Sequence, residues 1–358
     1  MGLHRAGFQV VGFVENWSQA LKSHEANFPE ARLIGQSVNG DIRKIPDSEF
    51  RAFRGRVDLL FAGFPCQGFS HAGKKDPKDP RNRLFYEFVR ATEAIAPRWV
   101  VGENVSGLVH RLTDDGKTHV SEVIIEEFES IGYHMADPMV LDSADYGVPQ
   151  HRRRVFFVGS REKTGFSRPL PTHSRRGGPG TQRHVPIGPS VESTLEGAVD
   201  FDPSIVSGGV RAFRESDETE APTGTPHPYL VAKLEAGLVS YGKRISPFHV
   251  EVADLDKPAK TIHSGYRFQP RLFVPLRNRR GCFLRAFTKR ELAQLQGFPE
   301  RYHFRGSSDD IIVQVGNAVP PALVTAVAHQ IAACDGELGE RLSLRSGLRT
   351  WEASAPIS

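Results

Sequence analysis

The sequence predicts an α/β protein of two domains, on three observations. The first two-fifths of the chain alternates short apolar runs with amphipathic stretches. A thiol, Cys66, stands on a tight turn directly after one of those runs. After Gly159 the alternation breaks into a long stretch rich in Pro, Gly, His, Arg and Thr. Strands alternating with helices imply βαβ units and parallel pairing. Open sheets of that kind build their sites at the carboxyl ends of their strands.

The elements follow in chain order. Residues 10–14 read as a strand ending at Glu15, and 18–27 as a helix. The apolar run 57–64 is the next strong strand, 84–95 a helix and 99–101 a strand. Residues 120–131 are helical and 155–158 form a strand. Residues 169–228 show weak periodicity and read as a solvated linker or as an irregular recognition domain; the length favours the domain. A helix is predicted over 287–295, with Thr288 as N-cap and Glu291 three residues on, the capping-box spacing. Residues 320–333 read as a last helix with Pro near its start. The tail after Asp335 is expected to fray. The expected boundaries are a catalytic domain over 1–168, a recognition domain over 169–305, a segment 306–335 returning to the catalytic domain, and a disordered tail over 336–358.

The chain's 358 residues suffice for two domains. Cys66, Cys282 and Cys334 are odd in number and far apart. They offer no disulfide framework and no metal-ligand spacing, so a reducing, cytoplasmic setting without metal is expected. No apolar run long enough to span a bilayer and no signal peptide is read, so no membrane is expected. A net charge of +4 and a pI of about 9.0 permit an anionic partner without requiring one.

Three groups of residues carry chemistry. Free cysteines are mostly inert core residues, but Cys66 lies on a turn beside Gln67 and Ser70. The segment after it holds Lys74, Lys75, Lys78, Arg81 and Arg83 against Asp76 and Asp79. Positive surroundings favour the nucleophilic thiolate, and the segment reads as a lid over a polyanion or as a solvated charge run. Glu103 and Asn104 follow a neighbouring strand, which lets Glu103 face Cys66 as a general acid; a carboxylate at a strand end also serves as a surface or capping residue. Gln150, Arg152 and Arg154 alternate and so share one face. Arginines in that array suit phosphate or carboxylate, while Arg153 between them suits charge protection of an edge strand.

Taken in order, the motifs resemble the DNA (cytosine-5) methyltransferase family from residue 2 to about residue 327. They are Pro65-Cys66-Gln67 with Phe69-Ser70; Glu103-Asn104-Val105; Gln150, Arg152 and Arg154; Arg290-Glu291 with Leu295-Gln296-Gly297-Phe298-Pro299; and Gln314 with Gly316-Asn317-Ala318-Val319-Pro320-Pro321. The resemblance implies a Rossmann-like class I methyltransferase mixed sheet and a smaller, irregular target recognition domain. It implies that Cys66 attacks C6 of a flipped cytosine, that Glu103 holds and protonates N3, and that Arg152 and Arg154 position the nucleotide. The methyl donor would be S-adenosylmethionine. Glu15, with Asn16 beside it, would take the ribose, and Asp41 and Ile42 the adenine. Phe64, Pro65, Leu84, Asn317 and Val319 would complete that pocket. Gln67, Ser70, Lys74, Lys75, Arg81 and Gln150 would contact double-stranded DNA. A cognate restriction endonuclease and a monomeric state are also implied. The Gln296-Gly297-Phe298-Pro299 run is given a packing role only.

The resemblance departs at the amino terminus. The family opens with a strand and a Phe-x-Gly-x-Gly turn for the methionine end of the cofactor, whereas Met1-Gly2-Leu3-His4 resembles the helix after that turn. Loss of that strand is expected to expose its neighbours' backbone groups and to weaken cofactor binding. A start placed too late and an inactive DNA-binding relic are the two explanations. An RNA cytosine-5 methyltransferase is the other reading on the same scaffold, and the long recognition stretch favours DNA over it.

Overall fold

The apolar runs of the first two-fifths become the sheet of one of two units. A computed structural model describes residues 1–64, 83–113 and 116–346. Of these, the first unit holds Met1–Asp142, Arg153–Leu170 and residues 323–346; the second holds Ser143–Arg152 and Pro171–Ala322.

The first unit runs α1 (Gly2–Arg5), β1 (Gly12–Phe13), α2 (Ser18–Asn27), β2 (Arg32–Leu33), α3 (Asp47–Arg51), β3 (Leu59–Gly63), α4 (Arg83–Ile95) and β4 (Trp99–Val105). It continues with α5 (Val120–Ser130), β5 (His134–Met135), β6 (Met139–Asp142) and β7 (Arg153–Ser160). The main sheet has the order β3-β4-β7-β5, with β6 also on β7. Only β3 and β4 are parallel; β4, β5 and β6 all run antiparallel to β7. The sheet is therefore mixed, and the parallel pairing expected from the alternation is confined to its first pair. The reason is local: a helix follows β3, but none intervenes between β5 and β7, and connections without a crossover helix suit antiparallel neighbours. β4 is buried at six of its seven positions, as a strand covered on both faces must be. β7 lies inside the sheet, so Arg153 guards no edge; its guanidinium reaches Asp142 at 3.5 Å.

Helices α4 and α5 lay Phe85, Phe88, Ile124 and Phe128 against Val100, Val155 and Phe157 of the sheet. A second cluster gathers Ile34, Ile45, Phe50, Phe53, Ala91 and Ile95. β1 and β2 form a separate parallel pair. Among the described residues no strand lies on the other edge of β3, whose residues Leu59 to Ala62 are only half-buried.

In the second unit the irregular stretch is folded and is no linker. Its elements are β8 (His173–Ser174), β9 (Gln182–Arg183), β10 (Val199–Asp200), β11 (Arg214–Glu215), α6 (Pro228–Glu235), β12 (Val239–Tyr241) and β13 (Val250–Val252). They are followed by β14 (Leu272–Asn278), β15 (Gly281–Ala286), α7 (Lys289–Leu295) and α8 (Ser308–Asn317). Six strands make one sheet, β10-β15-β14-β13-β12 with β11 on β14. Its core includes Ile187, Val191 and Leu195 from the irregular stretch, packed with Val274, Phe283, Leu292 and Leu295. The capping box of α7 forms as the spacing predicts: Thr288 Oγ1 accepts from the Glu291 N–H at 3.1 Å, and Glu291 Oε2 from the Thr288 N–H at 2.7 Å.

The chain ends in α9 (Pro321–Cys334) and α10 (Gly336–Ser346). The first part of the tail is therefore ordered, against expectation. Leu338 and Leu342 are buried, Arg341 binds Asp58 at 2.7 Å, and Asp335 accepts from Trp99 Nε1 at 2.9 Å. Residues 347–358 lie outside the described residues. Ser308–Cys334 is, by length and composition, one stretch apolar enough to cross a membrane, which the sequence reading overlooked. It consists of two helices broken at Ala318–Pro320, and half of its most apolar window is buried in the protein, the burial of a core segment.

Candidate active site

β3 and β4 end side by side because they are parallel neighbours, with Gly63 opposite Glu103. Beyond Gly63 comes Phe64, whose carbonyl accepts from Asn104 Nδ2 at 2.9 Å. Asn104 Oδ1 in turn accepts from the Val105 N–H at 2.8 Å. The end of β4 thus fastens the backbone just ahead of Pro65 and Cys66. Pro65, Cys66, Gln67, Ser70, Lys74, Lys75 and Arg81 themselves lie outside the described residues.

Glu103 is 7% exposed. Its Oε1 meets Arg154 Nε at 2.9 Å, a charge-assisted contact that fixes the carboxylate's orientation. Arg154 reaches it because β7 runs antiparallel to β4, setting Arg154 opposite Val105 and Phe156 opposite Glu103. Gly63 makes the space: a Cβ there would lie 3.1 Å from Glu103 Oε2. The sequence reading named Glu103 and Arg154 and missed Gly63, whose only signal was its position ahead of the Cys66 turn.

Arg152 and Gln150 belong to the second unit and face inward. Arg152 is 1% exposed. It donates from Nη1 to the Ile262 carbonyl and from Nη2 to the Gly316 carbonyl, each at 2.7 Å. Gln150 is fully buried. It donates to the Leu295 carbonyl at 3.1 Å and to Gln296 Oε1 at 2.6 Å, and accepts from the Ile262 N–H at 2.8 Å. Both side chains thus bond internally, because backbone polar groups of three buried segments need partners here. These bonds also explain why Ser143–Arg152 and residues 306–322 belong to the second unit, away from the expected boundaries. Gly316 permits this packing, since a Cβ there would lie 2.3 Å from the Ser264 nitrogen. At Gly297, at φ +88°, a Cβ would meet Val148 and Pro321 at 3.6–3.9 Å, so the residue sits in a packed turn.

Of the cofactor residues, Glu15 follows β1, half-buried, and accepts from the Trp17 N–H at 2.8 Å; Asn16 is exposed. Gly40, at φ +68°, brings the loop after β2 against it: a Cβ would lie 2.0 Å from the Glu15 carbonyl oxygen. That approach, open only to glycine, sets Asp41 and Ile42 beside Glu15, and sequence reasoning missed it. Asp41 binds Arg43 through both carboxylate oxygens, at 2.8 Å each, and the guanidinium holds its carboxyl below the usual range. Ile42 packs on the Ile45–Phe50 core. The Phe64 ring is buried, its centroid 5.4 Å from that of Phe85. Leu84 is half-buried in the first turn of α4, and in the second unit Asn317 is exposed and Val319 half-exposed. Two carboxylates and a glycine cradle at the ends of β1 and β2 suit the hydroxyls and base of a nucleoside. Among the described residues no group of three or more acidic, His or Cys side chains could hold a metal ion.

This site and fold define an α/β enzyme with a carboxylate–arginine pair at its strand ends, and comparison places the chain among known proteins. It belongs to the C-5 cytosine-specific DNA methylase family, which it matches over residues 1–333. It is 31% identical to the type II methyltransferase M.NgoFVII of Neisseria gonorrhoeae, over 97% of this chain and 87% of that protein. It is 30% identical to M.DdeI of Desulfomicrobium norvegicum, over 92% and 85% respectively. Its fold is that of the S. pombe Dnmt2 methyltransferase, with a TM-score of 0.61 and 18% identity over 94% of both chains. The protein is a DNA cytosine-5 methyltransferase.

Proposed function

We propose that this enzyme methylates carbon 5 of cytosine at a specific site in double-stranded DNA, as the modification partner of a type II restriction endonuclease. It would act as a cytoplasmic monomer. The single observation that carries the mechanism is the Gly63–Glu103–Arg154 juxtaposition beside the strand end that leads to Cys66.

Cysteine chemistry answers a specific difficulty. Carbon 5 is a poor nucleophile until the ring's conjugation is broken, and an in-stack base is unreachable. The Cys66 thiolate adds to C6 of the flipped base, and the displaced C5–C6 electron pair is held as an enamine while N3 gains a proton through Glu103. Arg154 holds the Glu103 carboxylate in the orientation this transfer needs. S-adenosylmethionine, when bound, supplies an electrophilic methyl group; Glu15 would hold its ribose, with Asp41 and Ile42 at its adenine. After C5 has taken the methyl, loss of the C5 proton to a base breaks the S–C6 bond and restores the ring.

The test is trapping. A pool of duplexes carrying 5-fluorocytosine cannot release the C5 substituent, so with S-adenosylmethionine the enzyme should form a denaturant-stable adduct. Cys66→Ala should form none; an adduct that persists there would remove Cys66 from the mechanism. Trapping of tRNA in preference to duplex DNA would replace the substrate.

A further inference from the structure

The second unit carries a basic pocket that the proposed mechanism leaves unused. It has a volume of about 130 Å³ and is lined by Arg244, Glu251, Lys260, His263, Tyr266 and Arg271. Glu251 is nearly buried and is paired with Lys260. Neither Arg244 nor Arg271 has a carboxylate within ion-pair distance among the described residues; Arg271 reaches only the Gln269 amide oxygen, at 3.4 Å. Two positive charges are therefore left in excess over the one acidic side chain. Their field is felt by His263: burial first, then the charges of Arg271, Arg152 and Arg244, lower its pKa.

The chain segments that carry the two arginines are apolar as well as basic. Ile245 and Phe248, on the 242–249 loop that carries Arg244, are 60% and 70% exposed, and Phe268, at the end of the turn that His263 caps, is 62% exposed. A lone exposed apolar side chain needs no explanation. Three large ones within four chain positions of Arg244 or Arg271 fit a ligand with anionic and apolar surfaces in alternation, which is the chemistry of a nucleic-acid strand.

We propose that this pocket seats one phosphate of the substrate DNA backbone, donated to by Arg244 and Arg271, with Ile245 and Phe248 against the neighbouring sugar and base edges. The proposal rests on the DNA methyltransferase reading and adds which residues of the second unit carry its electrostatic part. Lys260 neutralises Glu251, so that the carboxylate does not repel the anion.

The experiment is DNA binding by the full chain, measured on a mixed-sequence duplex over a range of salt concentrations. Arg244→Gln and Arg271→Gln should each weaken binding uniformly across sequences. Each should reduce the slope of log affinity against log salt by about 1, the loss of one phosphate contact. Lys22→Gln, on the exposed face of α2, is the control and should leave both unchanged. Equal thermal stability of the variants would show that they fold. Slopes equal to that of the unaltered protein in both arginine variants would overturn the seat alone. An unaltered protein that binds no duplex even at low salt would overturn the DNA reading and the seat with it.

Discussion

At the scale of single residues, the proposed reaction turns on a carboxylate whose freedom has been removed. Glu103 is covered by its own sheet, held on one oxygen by Arg154 and given room on the other by the absent side chain of Gly63. Glu103→Gln keeps the shape and the hydrogen bonding while removing the proton it would transfer. It should leave DNA binding intact and slow methyl transfer by about 10²–10⁴-fold, the size of a general-acid contribution. Equal single-turnover rates for variant and parent would take Glu103 out of the reaction. Glu103 and Arg154 were legible because both stand at strand ends in the chain itself. The internal roles of Gln150 and Arg152 were not. Their period-two spacing does direct both to Ile262, but that partner lies 112 and 110 positions away, and no local pattern reports whether a face is turned to solvent or to core.

At the scale of elements, the second unit is held at one joint by a fully buried ion pair. Arg285 on β15 donates to both oxygens of Glu291 on α7, at 2.8 and 2.7 Å, and also to the carbonyls of Thr194 and Glu192. Glu291 serves the α7 capping box at the same time. Removing one partner strands the other charge in the interior, so Arg285→Ala should lower stability by about 3–5 kcal/mol. Chemical denaturation followed by far-ultraviolet circular dichroism would measure it; a shift under about 1 kcal/mol would mean that water reaches the pair. The capping box was readable because its bonds close within four residues. The β10–β15 sheet was not, since β10, β11, β12 and β13 hold two or three residues each and β11 pairs with β14 some sixty positions away. Strands that short show too little alternation to stand out, and only their pairing makes them strands.

At the scale of the whole molecule, the distribution of tryptophan separates the two units in experiment. Trp17 and Trp99 lie in the first unit and Trp351 in the C-terminal segment outside the described residues; residues 143–152 and 171–322 contain none. Tryptophan fluorescence therefore reports no unfolding of the second unit directly, whereas circular dichroism reports both. Glu15, Asp41 and Ile42, the proposed nucleoside contacts, all belong to the first unit. A ligand that binds only the folded state stabilises by RT ln(1 + [L]/Kd), about 2.7 kcal/mol at a hundredfold excess over Kd. For a domain of this size, at about 2–4 °C per kcal/mol, that raises the melting midpoint by roughly 5–11 °C. S-adenosylmethionine should therefore raise the fluorescence-detected midpoint of the unaltered chain, and Glu15→Ala should lose most of that rise at the same concentration. A midpoint that does not move at millimolar S-adenosylmethionine would leave a chain with the family's fold and no use for its cofactor, and would support the DNA-binding relic over the enzyme.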